Sequence, residues 1–148
     1  MKRVIICFLV LFTALFVGCS NKSYDENTNE RVEGVPDCVI SNISTSPGRC
    51  DANLTVIANR YKIEDKEDFA WEVIKMCQEN SFKTMKFSTD LSGYPTSLDI
   101  NVYLWEDERL ETDPVMNIRF KASDTSQNYN IVDDAEQFQL FIDGQLIE

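Results

Sequence analysis

The chain has 148 residues, 14 Lys+Arg against 25 Asp+Glu, no His and five Cys, with 43% apolar residues and a net charge of -11. That length accommodates one domain with room for processing segments. The acidic surplus repels phosphate and so argues against nucleic-acid binding, and without imidazole every His-based triad or His-ligated metal site is excluded.

Met1-Lys2-Arg3 is a cationic start, and Val4 to Val17 is an apolar run of fourteen residues interrupted by Thr13 alone. At ~1.5 Å per residue the run spans roughly 21 Å, short of the ~30 Å hydrocarbon core of a bilayer, so it predicts a secretory signal rather than a spanning helix. Phe16-Val17-Gly18-Cys19-Ser20 closes the run. This stretch resembles the lipobox of bacterial prolipoproteins, with Phe16 standing where Leu is usual, and the resemblance covers residues 1–20. It implies a diacylglycerol on the Cys19 thiol, cleavage between Gly18 and Cys19, and a mature protein held by its lipid on the exported face of a membrane. Where a cell has two membranes, Ser20 resembles the pattern sent to the outer one; where it has one, the domain faces the exterior. Cys7 lies within the leader and reads as a small hydrophobe removed with it.

Removing Lys2 and Arg3 from the 14 basic residues leaves 12 against 25 acidic, a net charge of -13. Anionic headgroups repel such a domain, so lipid rather than charge must hold it, and a spacer is expected. Ser20 to Glu33 supplies one, with Tyr24 and Val32 as its only apolar side chains. Such a composition cannot bury enough to order itself, and fourteen residues reach roughly 20 Å as a flexible chain. The expected organisation is therefore leader 1–18, lipidated Cys19 and tether 19–33, a turn-rich segment 34–53, and a globular domain 54–148.

The segment 34–53 carries Cys38 and Cys50 on either side of the turn signal Pro47-Gly48. An exported chain can keep a disulfide, and Cys38 with Cys50 is the candidate pair, against the alternative of two free thiols. Their spacings match neither a zinc ribbon nor a Cys-x-x-Cys redox pair.

Leu54 to Ile63 is β-branched and aromatic enough to predict a strand. Asp65 is placed to cap a helix from Lys66 to about Asn80, with Glu67 and Asp68 at its positive end and Phe69, Val73, Met76 and Cys77 on its apolar face. Asn80-Ser81 supplies its stop. Alternation predicts strands over Lys83–Ser88, over Ser97–Trp105 with Leu98, Ile100, Val102 and Leu104 inward, and over Val115–Ala122 with Met116, Ile118 and Phe120 inward. Glu106 to Pro114 reads as an acidic loop, Asp133 to Glu136 as a helical turn, and Gln137–Ile142 as a strand turning at Asp143-Gly144 into a last strand, residues 145–148. This order predicts an α+β fold in which one long helix packs on a curled antiparallel sheet of four to five strands, in a cystatin-like element order.

No Gly-rich phosphate loop, Ser-x-x-Lys pair or EF-hand spacing occurs, and no cofactor or metal site is expected. The acidic runs at 64–68, 106–108 and 133–134 read as solvated surface. Tyr94, Tyr103 and Trp105 are the candidate ligand contacts, able to stack on a glycan or a protein partner. The expectation is a membrane-anchored, non-enzymatic binding module. The alternatives are a small exported hydrolase working through carboxylates and an acidic domain that gathers divalent cations.

Overall fold

The computed structural model describes residues 31–148. The leader, Cys7, Cys19 and the tether as far as residue 30 lie outside the described residues. The chain forms strands β1 (Asp37–Ser46) and β2 (Arg49–Ile57), helix α1 (Lys66–Gln78), a single helical turn α2 (Thr89–Ser92), and strands β3 (Ser97–Tyr103), β4 (Met116–Ala122), β5 (Phe138–Ile142) and β6 (Gln145–Ile147). Among the described residues no helix is long and apolar enough to cross a membrane.

All six strands join one sheet in sequence order, antiparallel throughout except for the parallel pair β2–β3. This overturns the expected cystatin-like meander of four to five antiparallel strands on one long helix. The sheet is mixed and six-stranded, and α1 has only 13 residues. Parallel neighbours need a crossover, and here α1 belongs to it, carrying the chain from the end of β2 back to the start of β3. The turn-rich reading of 34–53 is corrected at the same point, since that stretch holds most of the β1–β2 hairpin. Its Ser, Thr and Asn residues suit a strand exposed to water, which pattern reading took for a loop.

The register aligns the inward side chains into rows. Ala52, Leu98, Phe120 and Leu140 form one row, Leu54, Ile100, Ile118 and Ile142 the next, and Val56, Val102 and Met116 a third. All are buried, and they share one core with Phe69, Ala70, Val73, Ile74 and Cys77 of α1 and with Phe82, Phe87 and Ile131 from the loops. The opposite face is wet. Asn53, Asp99, Arg119 and Phe141 align there, and Asp99 pairs with Arg119 at 3.2 Å while also accepting from Asn117. A sheet that is apolar on one side only needs one covering layer.

Local chemistry sets the ends of α1. The Asp65 carboxylate accepts from the Glu67 and Asp68 amides, and the helix ends where Asn80 turns left-handed at φ 51°. The Ser81 amide then reaches back to the Met76 carbonyl and the Asn80 amide to that of Cys77, a Schellman closure. The Asn80 side chain also sets the backbone of the next segment: it accepts from the Phe87 amide at 2.7 Å and donates to the Phe87 carbonyl at 3.0 Å. That is why 83–88 is not the expected strand. Its alternation places Phe87 in the core, but Phe87's backbone groups are satisfied by one asparagine rather than by a neighbouring strand. The reversal Asp143-Gly144 has positive φ at both residues, as a two-residue hairpin requires.

Asp37 fastens β1 to the segment after α1. Burial alone would raise its carboxyl pKa, but the Thr84 hydroxyl and the amides of Thr84, Lys83 and Cys38 donate to it and hold it below its ordinary value. A lowered native pKa contributes stability that is present above the ordinary value and lost as pH falls through the native one. Asp37→Asn is therefore expected to cost about 1–2 kcal/mol at neutral pH. Urea denaturation at pH 7 and at pH 3 should show the difference between the two proteins shrinking at the lower pH; a difference that grows on acidification would contradict the assignment.

Candidate functional site

Among the described residues, a set of polar groups converges where three segments meet at one end of the sheet. The β1–β2 hairpin tip supplies Thr45, Ser46, Gly48, Arg49 and Cys50; the α2 turn and its exit supply Leu91, Ser92, Gly93, Tyr94 and Thr96; the loop before residue 131 supplies Asn128 and Asn130. Together they line an open cleft of about 390 Å³. The Thr96 amide donates to the Cys50 carbonyl at 2.7 Å and the Cys50 amide to the Thr96 hydroxyl at 2.9 Å, which locks the hairpin to the start of β3. Gly48 sits at φ 73°, and a Cβ there would lie 2.4 Å from the Asn128 Oδ1, so the tip closes on Asn128 only because residue 48 is glycine.

Among the described residues, Thr45, Ser46, Ser92, Tyr94 and Asn128 make no side-chain hydrogen bond, whereas the Asn130 carboxamide is occupied by Val132 and Asp133. Arg49 pairs with Asp51 at 3.2 Å and is half exposed. No carboxylate lines the cleft. The cleft therefore offers hydroxyls, a carboxamide, an aromatic ring and a partly neutralised guanidinium. Such a set could hydrogen-bond a polar ligand and provides no carboxylate acid–base pair.

The three aromatic candidates do not come together. Tyr94 lines the cleft, but Tyr103 ends β3, six residues beyond its start and so roughly 20 Å away. Trp105 is buried rather than exposed: Tyr61 packs edge-on at 5.2 Å and the Arg31 guanidinium lies 5.4 Å from its ring. The alternation of β3 extended past its true end placed Trp105 on the outer face, whereas the strand stops at Tyr103 and the chain turns the indole beneath Arg31. Of the residues that do line the cleft, the sequence points to Tyr94 but not to Arg49, Ser92 or Asn128; the nearby signals are Tyr94 itself and the turn Pro47-Gly48.

The acidic runs hold structural positions. Asp107 and Glu108 grip Arg31, Glu64 pairs with Lys62, Asp65 caps α1, and Asp133 and Asp134 accept from Asn130. Where carboxyl pKa values are perturbed they move down: the Arg31 hydrogen bond lowers Asp107, Ser126 lowers Asp124, and Lys66 lowers Asp143. A general acid needs the opposite shift. Among the described residues no group of three or more carboxylate or thiol side chains is gathered so that it could hold a metal ion.

Cys38 and Cys50 are not bonded to each other. Cys38 stands opposite Val56 and Cys50 opposite Thr45, so seven residues of β1 separate them along the hairpin, roughly 23 Å. A disulfide requires Cα atoms within about 7 Å. Sequence spacing gave the loop length but not the register. Cys38, Cys50 and Cys77 are free and buried. Burial pushes the Cys38 thiol up to about 11 and raises those of Cys50 and Cys77 as well, which makes all three poor nucleophiles.

No family model, curated protein or solved structure matches the chain significantly.

Iodoacetamide labelling of the native protein should leave Cys38 and Cys77 unmodified, and labelling in denaturant without reductant should modify Cys38, Cys50 and Cys77. A peptide joining Cys38 to Cys50 in the mass spectrum would contradict the register.

Proposed function

We propose that this chain is a lipid-anchored bacterial surface protein whose globular unit is a non-enzymatic binding module, with the cleft at the hairpin tip as its ligand site. The lining of that cleft carries the binding part of the reading: unengaged hydroxyls of Thr45, Ser46, Ser92 and Tyr94, the Asn128 carboxamide and Arg49 converge without a carboxylate among them. The chemistry that fits is a neutral, hydroxyl-rich ligand such as a short glycan, whose hydroxyls exchange hydrogen bonds with these groups and whose ring stacks on Tyr94. The Asp51 carboxylate beside Arg49 favours a neutral ligand over an anion. The anchor part rests on the cationic start, the apolar run and Gly18-Cys19-Ser20. Two or more acyl chains on Cys19 hold a protein stably, and the polar stretch from Ser20 to Glu30 would let an acidic domain stand clear of the headgroups, since Arg31 and Glu33 of the expected tether are hydrogen-bonded to the folded unit at Asp107, Glu108 and Tyr61.

Two measurements test the two parts. Intact mass and detergent partitioning of the expressed full chain should reveal acyl groups and detergent-phase recovery, both lost in Cys19→Ala; an unacylated chain that stays in the aqueous phase contradicts the anchor. Titration with a panel of neutral oligosaccharides, followed by the Asn128 side-chain resonance, should give saturable shifts that Tyr94→Ala weakens by roughly five- to tenfold. Binding left unchanged by Tyr94→Ala, or no response from Asn128 to any member of the panel, contradicts the site.

A further inference from the structure

The two edges of the sheet are protected unequally. β6 has three residues among those described. β1 has ten, and among the described residues its outer edge faces no other strand. Exposed edges are ordinarily blunted by Lys, Pro, a bulge or a covering segment. On β1 the protection stops early: Asp37 is clamped to Lys83 and Thr84, the Cys38 thiol donates to the Ile40 carbonyl, and the one irregularity lies between Cys38 and Ile40. Beyond it run Ser41-Asn42-Ile43-Ser44-Thr45-Ser46, regular in register, with Asn42 to Ser46 exposed, uncharged and free of proline. Cys38 to Ser46 is an unbroken uncharged stretch in a chain of which 26% is charged.

We infer that the β1 edge pairs with the same strand of a second copy, antiparallel about a two-fold axis near Ile43, to give a continuous twelve-stranded sheet. Three observations favour a second copy over other strands. Two chains of net charge -11 repel wherever their surfaces meet, and β1 is a place where both can approach without opposing carboxylates. The pairing is self-complementary: with Ile43 opposite Ile43 of the second copy, Asn42 faces Ser44 and Ser41 faces Thr45, small polar pairs that hydrogen-bond across strands, around an isoleucine 41% exposed in the single chain. Because the two-fold contact uses the same β1 edge of both copies, it closes as an isologous dimer rather than a fibre.

The register also supplies the test. Ser41, Ile43 and Thr45 lie opposite Leu54, Ala52 and Cys50, hence on the core side, while Asn42 and Ser44 lie opposite Asn53 and Asp51 on the wet face. Charges at 42 and 44 therefore leave the folded chain intact, which an unchanged melting temperature verifies. Sedimentation of the full chain in density-matched detergent, at micromolar concentration, should give the mass of two chains. Asn42→Lys combined with Ser44→Lys sets like charges opposite each other twice and should weaken the dimer by roughly tenfold or more. Asn42→Glu combined with Ser44→Lys sets opposite charges there, with Lys at 44 facing Asp51 of its own chain, and should retain it. A wild-type monomer, or a dimer undiminished by the double lysine variant, overturns the proposal; a monomeric Lys/Glu variant overturns the register. Amide exchange across 41–46 should slow as protein concentration rises, and an exchange rate independent of concentration counts against the pairing.

Discussion

Everything in this molecule is organised by the burial of one face of a six-stranded sheet under a single 13-residue helix and two short loops. Two rows of aligned apolar side chains cross the sheet from β2 to β5 and a third from β2 to β4, and Phe69, Val73, Ile74 and Cys77 of α1 cover them with Phe82, Phe87 and Ile131. At ~25 cal/mol per Å², such a core supplies most of the free energy that holds the fold together. Because period two puts every second residue on the other side, the same strands must carry a second face, and polar pairs such as Asp99 with Arg119 keep it soluble.

The helix is too short to cover the whole sheet, and the part it leaves uncovered carries both the cleft and the free edge. From Asn42 to Arg49 the β1–β2 hairpin is exposed, extending beyond the layer that protects Cys38 and Leu54. Its tip becomes one wall of the cleft because Gly48 admits Asn128 and because Thr96 is bonded to Cys50 through two hydrogen bonds. Its outer edge is left with backbone groups that no other strand among the described residues takes up. Both features arise from the length of one hairpin, and they use different parts of it: side chains at the tip for the cleft, main chain along the edge for pairing.

Electrostatics separates structural acids from reactive ones. A net charge of -11 invites the idea of catalysis or cation binding through carboxylates, yet the perturbed carboxyls are those tied to donors and shifted down: Asp37 and Asp51, whose hydrogen bonds outweigh burial, and Asp107, held by Arg31. Lowered carboxyl pKa values of this kind accompany caps, clamps and ion pairs. They contribute to holding segments such as 31 and 107–108 together, and among the described residues the cleft is lined by neutral groups and Arg49, with no carboxylate.

Local chemistry was legible without the fold. The Asp65 cap, the apolar stripe of α1, the Asn80-Ser81 stop, the inward alternation of Leu98-Ile100-Val102 and Met116-Ile118-Phe120, and the Asp143-Gly144 reversal each depend on neighbours within a few residues, and each stands in the molecule as read. Tertiary structure alone decided the rest, since those features depend on partners distant in sequence. Strand direction is one: nothing in residues 49–57 states that they will lie parallel to 97–103 after a crossover. The backbone around 83–88 is another, settled by the side chain of Asn80 rather than by its own alternation. Register kept Cys38 from Cys50, Arg31 and Tyr61 covered Trp105, and three separated segments built the cleft, because pattern reports which way a side chain points and not what will be standing there.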